Sequence, residues 1–518
     1  MESVDRDAGI DLAELLAAFS LATDLGLGQP MEHVLRSWRI AERLAGHMGL
    51  PEDQRRSLFY VSMLAWVGCV ADSPEVAASF GDDIAFRADS YEVDLAGAAG
   101  FGYFLRHAGS GGPMWHRVRV ATTMLTSGGR NVMQGMQSHC VTASALAERL
   151  GLGSDVVTAL RQFFTRWDGR GVPQGVGGTD IAPTIRLLHL ADVVEVRCRT
   201  GGIDGALEVA RARRGRQFAP DVVDALLAHA PEVLADAGTE IDPLTADPGL
   251  RRPLTEGELD AALEALADFT DLRCASRAGH SRGVAELAGA AARSMGLPAG
   301  DVIATRRAGL LHDIGLHGVP ATILDRPGRL STTEWERVRL SSYYTERVLA
   351  RPAALAKLGA IAATAHERMD GSGYHRGLSG AAVPMTGRLL AAACAYRAML
   401  EPRAHRPALT DKQALSAVRD AIRTGALDGD AAEAVLAAAG NGVRRRVSGP
   451  AGLTPREVEV LILISRGVQT GEVADQLGIS RKTAGTHIER IYTKTGASSR
   501  STATLFALRN GLLDPLDL

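Results

Sequence analysis

Residues 472–494 read EVADQLGISRKTAGTHIERIYTK. Glu472 to Leu477 make a short helix, Gly478-Ile479 a turn, and Ser480 caps a second helix running through His487 and Ile491 to Lys494. A short helix, a glycine turn and a capped helix form the geometry that projects the second helix into the major groove of DNA. Upstream, Thr454 followed by Glu457 is a capping box. It opens a helix with Val458, Val460, Leu461 and Leu463 that ends near Gly467. Downstream, a helix over about Ser501 to Asn510 packs behind the others.

Leu453-Thr454-Pro455-Arg456-Glu457, Glu472-Val473-Ala474 and Ser480-Arg481-Lys482-Thr483 fall in order along this tail. Together they resemble the LuxR/FixJ-type DNA-binding domain. The resemblance implies binding to DNA as a homodimer, with Arg481, Lys482, Thr483, Thr486, Arg490 and Lys494 on the face turned to DNA. The cations would clamp phosphates, and the two threonines could touch bases. Ala484 replaces a usual valine, Gly485 weakens the helix by ~1 kcal/mol relative to alanine, and Glu489 stands where a basic residue is common. The net charge of the whole chain is −3, so DNA affinity has to come from this local patch.

The 518 residues suggest roughly three domains at ~150 residues each. Hydrophobic residues make up 46%, enough for sizeable cores, and no convincing period-two run occurs, so the fold is expected to be all-α. Five scattered cysteines (Cys69, Cys140, Cys198, Cys274, Cys394) without CxxC spacing read as reduced thiols. Met1 to Ala17 lacks the pattern of a signal peptide, and no apolar run is long enough to span a membrane. A cytoplasmic protein is expected.

Self-comparison divides the rest of the chain. Thr23-Asp24-Leu25 recurs at 270–272, and Met48-Gly49-Leu50-Pro51 at 295–298, both 247 positions on. Trp167-Asp168-Gly169-Arg170-Gly171 is matched by Met369-Asp370-Gly371-Ser372-Gly373 only 202 positions on, so the first copy carries an insertion, of which the glycine-rich text from Gly97 to Gly112 is part. The expected organisation is a first copy over 1–234, a linker over 235–257, a second copy over 258–439, a linker over 440–452 and the tail over 453–518.

The second copy holds His280, then Leu311-His312-Asp313-Ile314-Gly315, then His366-Glu367 leading into Asp370-Gly371-Ser372-Gly373-Tyr374. Imidazoles joined to a carboxylate on a helical bundle suit iron, manganese or zinc, which can activate water against a phosphodiester. With Val319-Pro320, Pro327-Gly328, Trp335 and Arg376-Gly377-Leu378 in place, this copy resembles the HD-GYP family of metal-dependent cyclic-di-GMP phosphodiesterases. The resemblance carries metal ligands over to His280, His312, Asp313 and His366, and a thiolate from Cys394 could join them to hold one divalent ion (zinc, iron or manganese). Tyr374, His375 and Arg376 could face a ligand such as cyclic-di-GMP.

The same resemblance marks what is missing. Leu316 stands for the family's catalytic lysine, Ser341 and Ala365 for histidines, Cys394 for an aspartate and His375 for the proline of Gly-Tyr-Pro. In the first copy His33 matches His280, but Ala65-Trp66 replaces the His-Asp pair and Phe164-Thr165 the His-Glu pair. His139 and Asp192 stand where the second copy has Ser341 and Cys394. The resulting expectation is two tandem HD-type helical bundles followed by a four-helix LuxR-type helix-turn-helix. It is a transcription regulator whose HD domains sense or transmit a signal without efficient catalysis; the alternative is a working phosphodiesterase.

Overall fold

Helix Ala299–Leu311 starts directly after Pro298 and packs along helix His280–Ser294. Gly309 sets how close they come: a Cβ there would lie 2.6 Å from the Cα of Ala285. The helix delivers His312 at its end, and the chain turns through a short 3-10 segment, Ile314–Gly318. Gly315 is the tightest point, where a Cβ would fall 1.9 Å from the carbonyl oxygen of Ser341 on helix Thr332–Val348. The glycine of the His-Asp-Ile-Gly run thus has a packing reason.

The computed structural model describes residues 9–127, 130–235, 241–440 and 450–513. Among these residues there are helices and isolated bridges but no strand, so the chain is all-α. It divides into two compact units, Met1–Gly257 and Glu258–Leu518. No described helix is long and apolar enough to cross a membrane. All five cysteines are free.

The first unit repeats local geometry found in the second. Helices His33–His47 and Glu52–Leu64 sit 247 positions before His280–Ser294 and Ala299–Leu311. Each histidine helix follows a residue with left-handed backbone, Glu32 (φ 75°) or Gly279 (φ 76°). In each, a buried aspartate accepts from the backbone just past the histidine: Asp24 from Val34 and Asp271 from Ser281. Burial pushes both carboxyls up to about 7. The glycine-rich text read as part of the insertion forms helix Gly97–His107, followed by Met114–Ser127.

The described part of the first expected linker is more than a connector. Residues 236–240 and 441–449 lie outside the described residues, but 241–257 folds back on the first unit. Leu12 donates to the carbonyl of Arg252, Leu254 donates to that of Ile10, and Leu244 and Leu250 are buried. Proline, aspartate and glycine there mark turns, while these two leucines supply the anchorage that a composition reading passes over.

The tail forms four helices: Pro455–Ser465, Thr470–Leu477, Arg481–Thr495 and Arg500–Arg509. The Thr454–Glu457 capping box is present, Ser480 accepts from the Thr483 amide, and Gly478 (φ 63°) makes the left-handed turn between the two central helices. Val460, Leu461, Ile464, Val473, Ala484 and Ile491 form the core, and Ala278 of the HD domain belongs to the same cluster.

Glu457 does more than cap. It is buried, and its carboxylate accepts from Lys494 Nζ at 2.7 Å. Burial alone raises its pKa, but the hydrogen bonds from Lys494 and Thr454 outweigh that and hold it at about 2. A carboxylate depressed below its unfolded value of ~4.3 stabilises the fold above that value and loses the contribution as pH falls toward 2. Glu457→Gln is therefore expected to lower the melting temperature at pH 7, with the gap to the parent narrowing by pH 3. Thermal melts at both pH values check this, and a gap of constant size contradicts it.

Candidate functional site

Asp313 is the hub of the second unit. His280 Nε2 lies 3.7 Å and His312 Nε2 3.3 Å from its Oδ2, and His366 Nε2 lies 3.6 Å from its Oδ1. His280 and His312 come from adjacent helices, His366 from the turn after helix Ala353–Ala362, and Cys394 from helix Met385–Leu400. Cys394 comes within 4.8 Å of His280 and His312. All five sequence-predicted ligands thus meet in one place.

The outer nitrogens are fixed. His280 Nδ1 lies 2.8 Å from Glu401, and His312 Nδ1 lies 2.8 Å from the carbonyl of Gly309. A proton on each Nδ1 leaves both Nε2 lone pairs turned to Asp313, and neither Nε2 has a hydrogen-bond partner. Burial, with Arg277 beside it, drives His280 well below the usual imidazole range. Burial and the neighbouring His366 do the same to His312. Burial and nearby arginines hold His366 at about 3. These are neutral imidazoles, the form that ligates metal. Burial also pushes the Cys394 thiol up.

The donor set fits one divalent ion: orphaned, oriented imidazole nitrogens around a carboxylate. One group competes. Arg277, in the turn before His280, places its guanidinium directly on Asp313. That carboxylate is the only acidic group among the expected ligands, and a protein cation already neutralises it. An entering metal has to displace Arg277. Leu316 is buried, so the position matched to a catalytic lysine offers no proton.

The three residues read as ligand-facing separate. Tyr374 stacks on His366 with ring centroids 5.0 Å apart, so it belongs to the site. His375 Nε2 lies 3.1 Å from Glu346, and Arg376 also pairs with Glu346. Both side chains therefore engage Glu346. Glu367 holds this loop by accepting from the amides of Arg376 and Leu378, both at 2.9 Å.

The equivalent place in the first unit is closed differently. His33 lies 2.6 Å from Glu195, 3.1 Å from Asp192 and 3.2 Å from the Tyr91 hydroxyl. Burial opposes its protonation, but hydrogen bonds to Asp192 and Glu195 raise its pKa to about 10, so it is an imidazolium rather than a ligand. Trp66, at the position of Asp313, donates its indole N–H to Asp192 at 3.1 Å. His139 bonds the carbonyl of Ala65 at 2.6 Å, and its other ring nitrogen lies 3.4 Å from Asp72.

On helix Arg481–Thr495, Arg481, Lys482, Thr483 and Arg490 are exposed and Thr486 is half-buried. Glu489 is exposed beside Arg490. Thr483 bonds the capping Ser480 at 2.8 Å, and Thr486 bonds the carbonyl of Lys482 at 3.1 Å. Lys494 is the exception: its ammonium is committed to Glu457, so it braces the domain instead of standing free for phosphate. Sequence reading missed this because the pair joins positions 37 apart. Arg277 was missed too, since a lone arginine in a turn belongs to no motif.

Comparison with known proteins places these observations. The model of the HD domain matches residues 264–430, and that of bacterial regulatory proteins of the luxR family matches residues 451–507. The chain is 28% identical over 420 residues to a 3'3'-cGAMP-specific phosphodiesterase 3 of Vibrio cholerae serotype O1, covering 80% of this chain and 91% of that protein. It is 37% identical over 153 residues to a cyclic di-GMP phosphodiesterase of Thermotoga maritima, covering 29% of this chain and 42% of that one. A crystal structure of a cyclic GMP-AMP specific phosphodiesterase from V. cholerae superposes with a TM-score of 0.58 at 25% identity, over 84% of this chain and 99% of that chain. The chain therefore carries an HD domain over residues 264–430 and, at its C-terminal side, a domain of the luxR family of bacterial regulatory proteins over residues 451–507.

Proposed function

We propose that this chain is a DNA-binding transcription regulator in which the HD domain senses a ligand rather than turning one over. The observation that carries the reading is the pairing of an exposed basic helix, Arg481 to Arg490, with an HD site in which Arg277 already occupies Asp313. The domain binds DNA as a homodimer, since one recognition helix per chain suits a two-fold operator.

A route for the signal is supported by packing. Arg277 touches Asp313, and its neighbour Ala278 sits in the core cluster of the tail. A cation or a cyclic dinucleotide that enters the HD site displaces Arg277, and the turn 275–278 moves with it. Such a ligand regulates DNA binding only if it prefers one of the two arrangements. Selection of bound genomic fragments followed by footprinting tests the reading. A protected two-fold site is expected, and indiscriminate binding at low salt rejects it.

A second reading has its own support: the neutral imidazoles around Asp313, and relatives described as cyclic dinucleotide phosphodiesterases. In it His280, His312, Asp313 and His366, with Cys394, hold a divalent ion, which when bound activates water against a phosphodiester. It requires Arg277 to leave Asp313. Turnover of 3'3'-cGAMP or cyclic-di-GMP with added manganese, lost in His312→Ala, favours this reading; equal rates in parent and variant exclude it.

A further inference from the structure

The first unit contains a cavity of about 570 Å³. Cores are close-packed, with few voids larger than a water molecule, whereas small-molecule sites occupy roughly 300–1,000 Å³ and are mostly apolar. It lies beside the closed HD-type site. Trp66 forms part of its wall, with Phe163 packed edge-on at 4.7 Å and Phe164 at 6.1 Å between ring centroids. Two helices cover it: Gly97–His107, which belongs to the insertion that only this copy carries, supplies Phe101 and Phe104, and Arg130–Arg149 supplies Met133 and Met136. Flat rings and polarisable thioethers make a surface that takes aromatic bodies.

The charges in the lining are uneven. Arg166, Arg170 and Arg213 face it, against a single carboxylate, Asp192. Asp192 is already engaged by His33 and by the Trp66 indole. Arg166 is bound by Asp94 at 2.7 Å and Asp168 at 3.2 Å, which leaves Arg170 and Arg213 as the positive end. Arg213 donates to Gln217 at 3.1 Å, a neutral partner that a carboxylate or sulfonate can replace.

We propose that the first unit is a binding site for a small organic anion with an aromatic body, held between the aromatic and methionine walls with its acidic group toward Arg170 and Arg213. Loss of the HD-type ligands and gain of the inserted helix Gly97–His107 together turn a former metal cleft into an apolar pocket. This goes beyond the proposed function, because it concerns the first unit and stands whether or not the tail binds DNA.

The probes are 8-anilinonaphthalene-1-sulfonate and its uncharged analogue N-phenyl-1-naphthylamine, titrated into the full chain with fluorescence as readout. One saturable sulfonate site per chain is expected, with the neutral analogue bound at least ten-fold more weakly. Met136→Glu and Phe101→Glu, the latter at a residue 46% exposed, are each expected to weaken the sulfonate at least ten-fold. Unchanged melting curves show that each variant folds. No saturable site, or affinity unchanged in both variants, overturns the pocket; equal affinity for the two probes overturns its anion preference.

Discussion

Reversing the charge of Lys482 and Arg490 together, Lys482→Glu with Arg490→Glu, is expected to weaken binding to the footprinted DNA by ~100-fold or more. Each substitution removes a phosphate contact and adds a carboxylate near the backbone, and each tenfold corresponds to ~1.4 kcal/mol. The dependence of affinity on salt should flatten as well, by ~0.9 in logarithmic slope per lost phosphate. Both side chains are exposed, so stability should stay within ~0.5 kcal/mol of the parent per site. Lys494→Glu serves as the contrast, because it confronts the buried Glu457 with a second carboxylate and should lower the melting temperature along with DNA affinity. Gel shifts at two salt concentrations, with melts alongside, separate the effects. An affinity within threefold of the parent for the double variant places the DNA contacts elsewhere.

The second large effect concerns the HD site. Asp313→Ala leaves the Arg277 guanidinium, 16% exposed, without its carboxylate. Breaking a buried pair by removing one partner costs ~3–5 kcal/mol. The lower end applies here because Arg277 keeps some access to water, and ~3 kcal/mol lowers the melting temperature of a unit this size by ~6–12 °C. Adding Arg277→Met removes the stranded charge and should restore much of the loss. By contrast, Arg277→Met alone leaves the imidazoles and the carboxylate free of the competing cation, and should raise affinity for a single manganese or zinc ion at least ten-fold. Calorimetry of the three variants reads both effects. If Asp313→Ala melts with the parent, the Arg277–Asp313 pair does not hold the site.

Much of this architecture is legible in the sequence because it rests on local signals. The Thr454–Glu457 box, Gly478 and the Ser480 cap are short-range hydrogen-bond and backbone requirements, and the helices begin and end where they dictate. The offset of 247 positions is likewise visible in text, and helices of matching length stand at that offset. The gathering of His280, His312, Asp313, His366 and Cys394 follows from motif resemblance rather than from any local rule.

What escaped the sequence is long-range pairing. Arg277 on Asp313, Lys494 on Glu457 and Trp66 on Asp192 join residues that no pattern links. The histidine partners show why alignment misleads here. In the first unit His33 meets Glu195, with Arg199 one turn on. In the second, the position matching Glu195 is Arg397, and the glutamate has moved one turn on to Glu401, which meets His280. The Glu–Arg order is reversed along the helix while the histidine keeps a carboxylate, because a long side chain reaches the same point from the next turn.

Salt titration of DNA binding by the full chain tests the central claim most directly. The equilibrium constant is measured for the footprinted fragment and for a scrambled one between 50 and 300 mM salt. The account predicts that the footprinted fragment binds at least ~10³-fold more tightly, with log affinity falling linearly against log salt for both. Equal affinities for the two fragments, or no salt dependence, would contradict a sequence-reading role for the helix from Arg481 to Thr495.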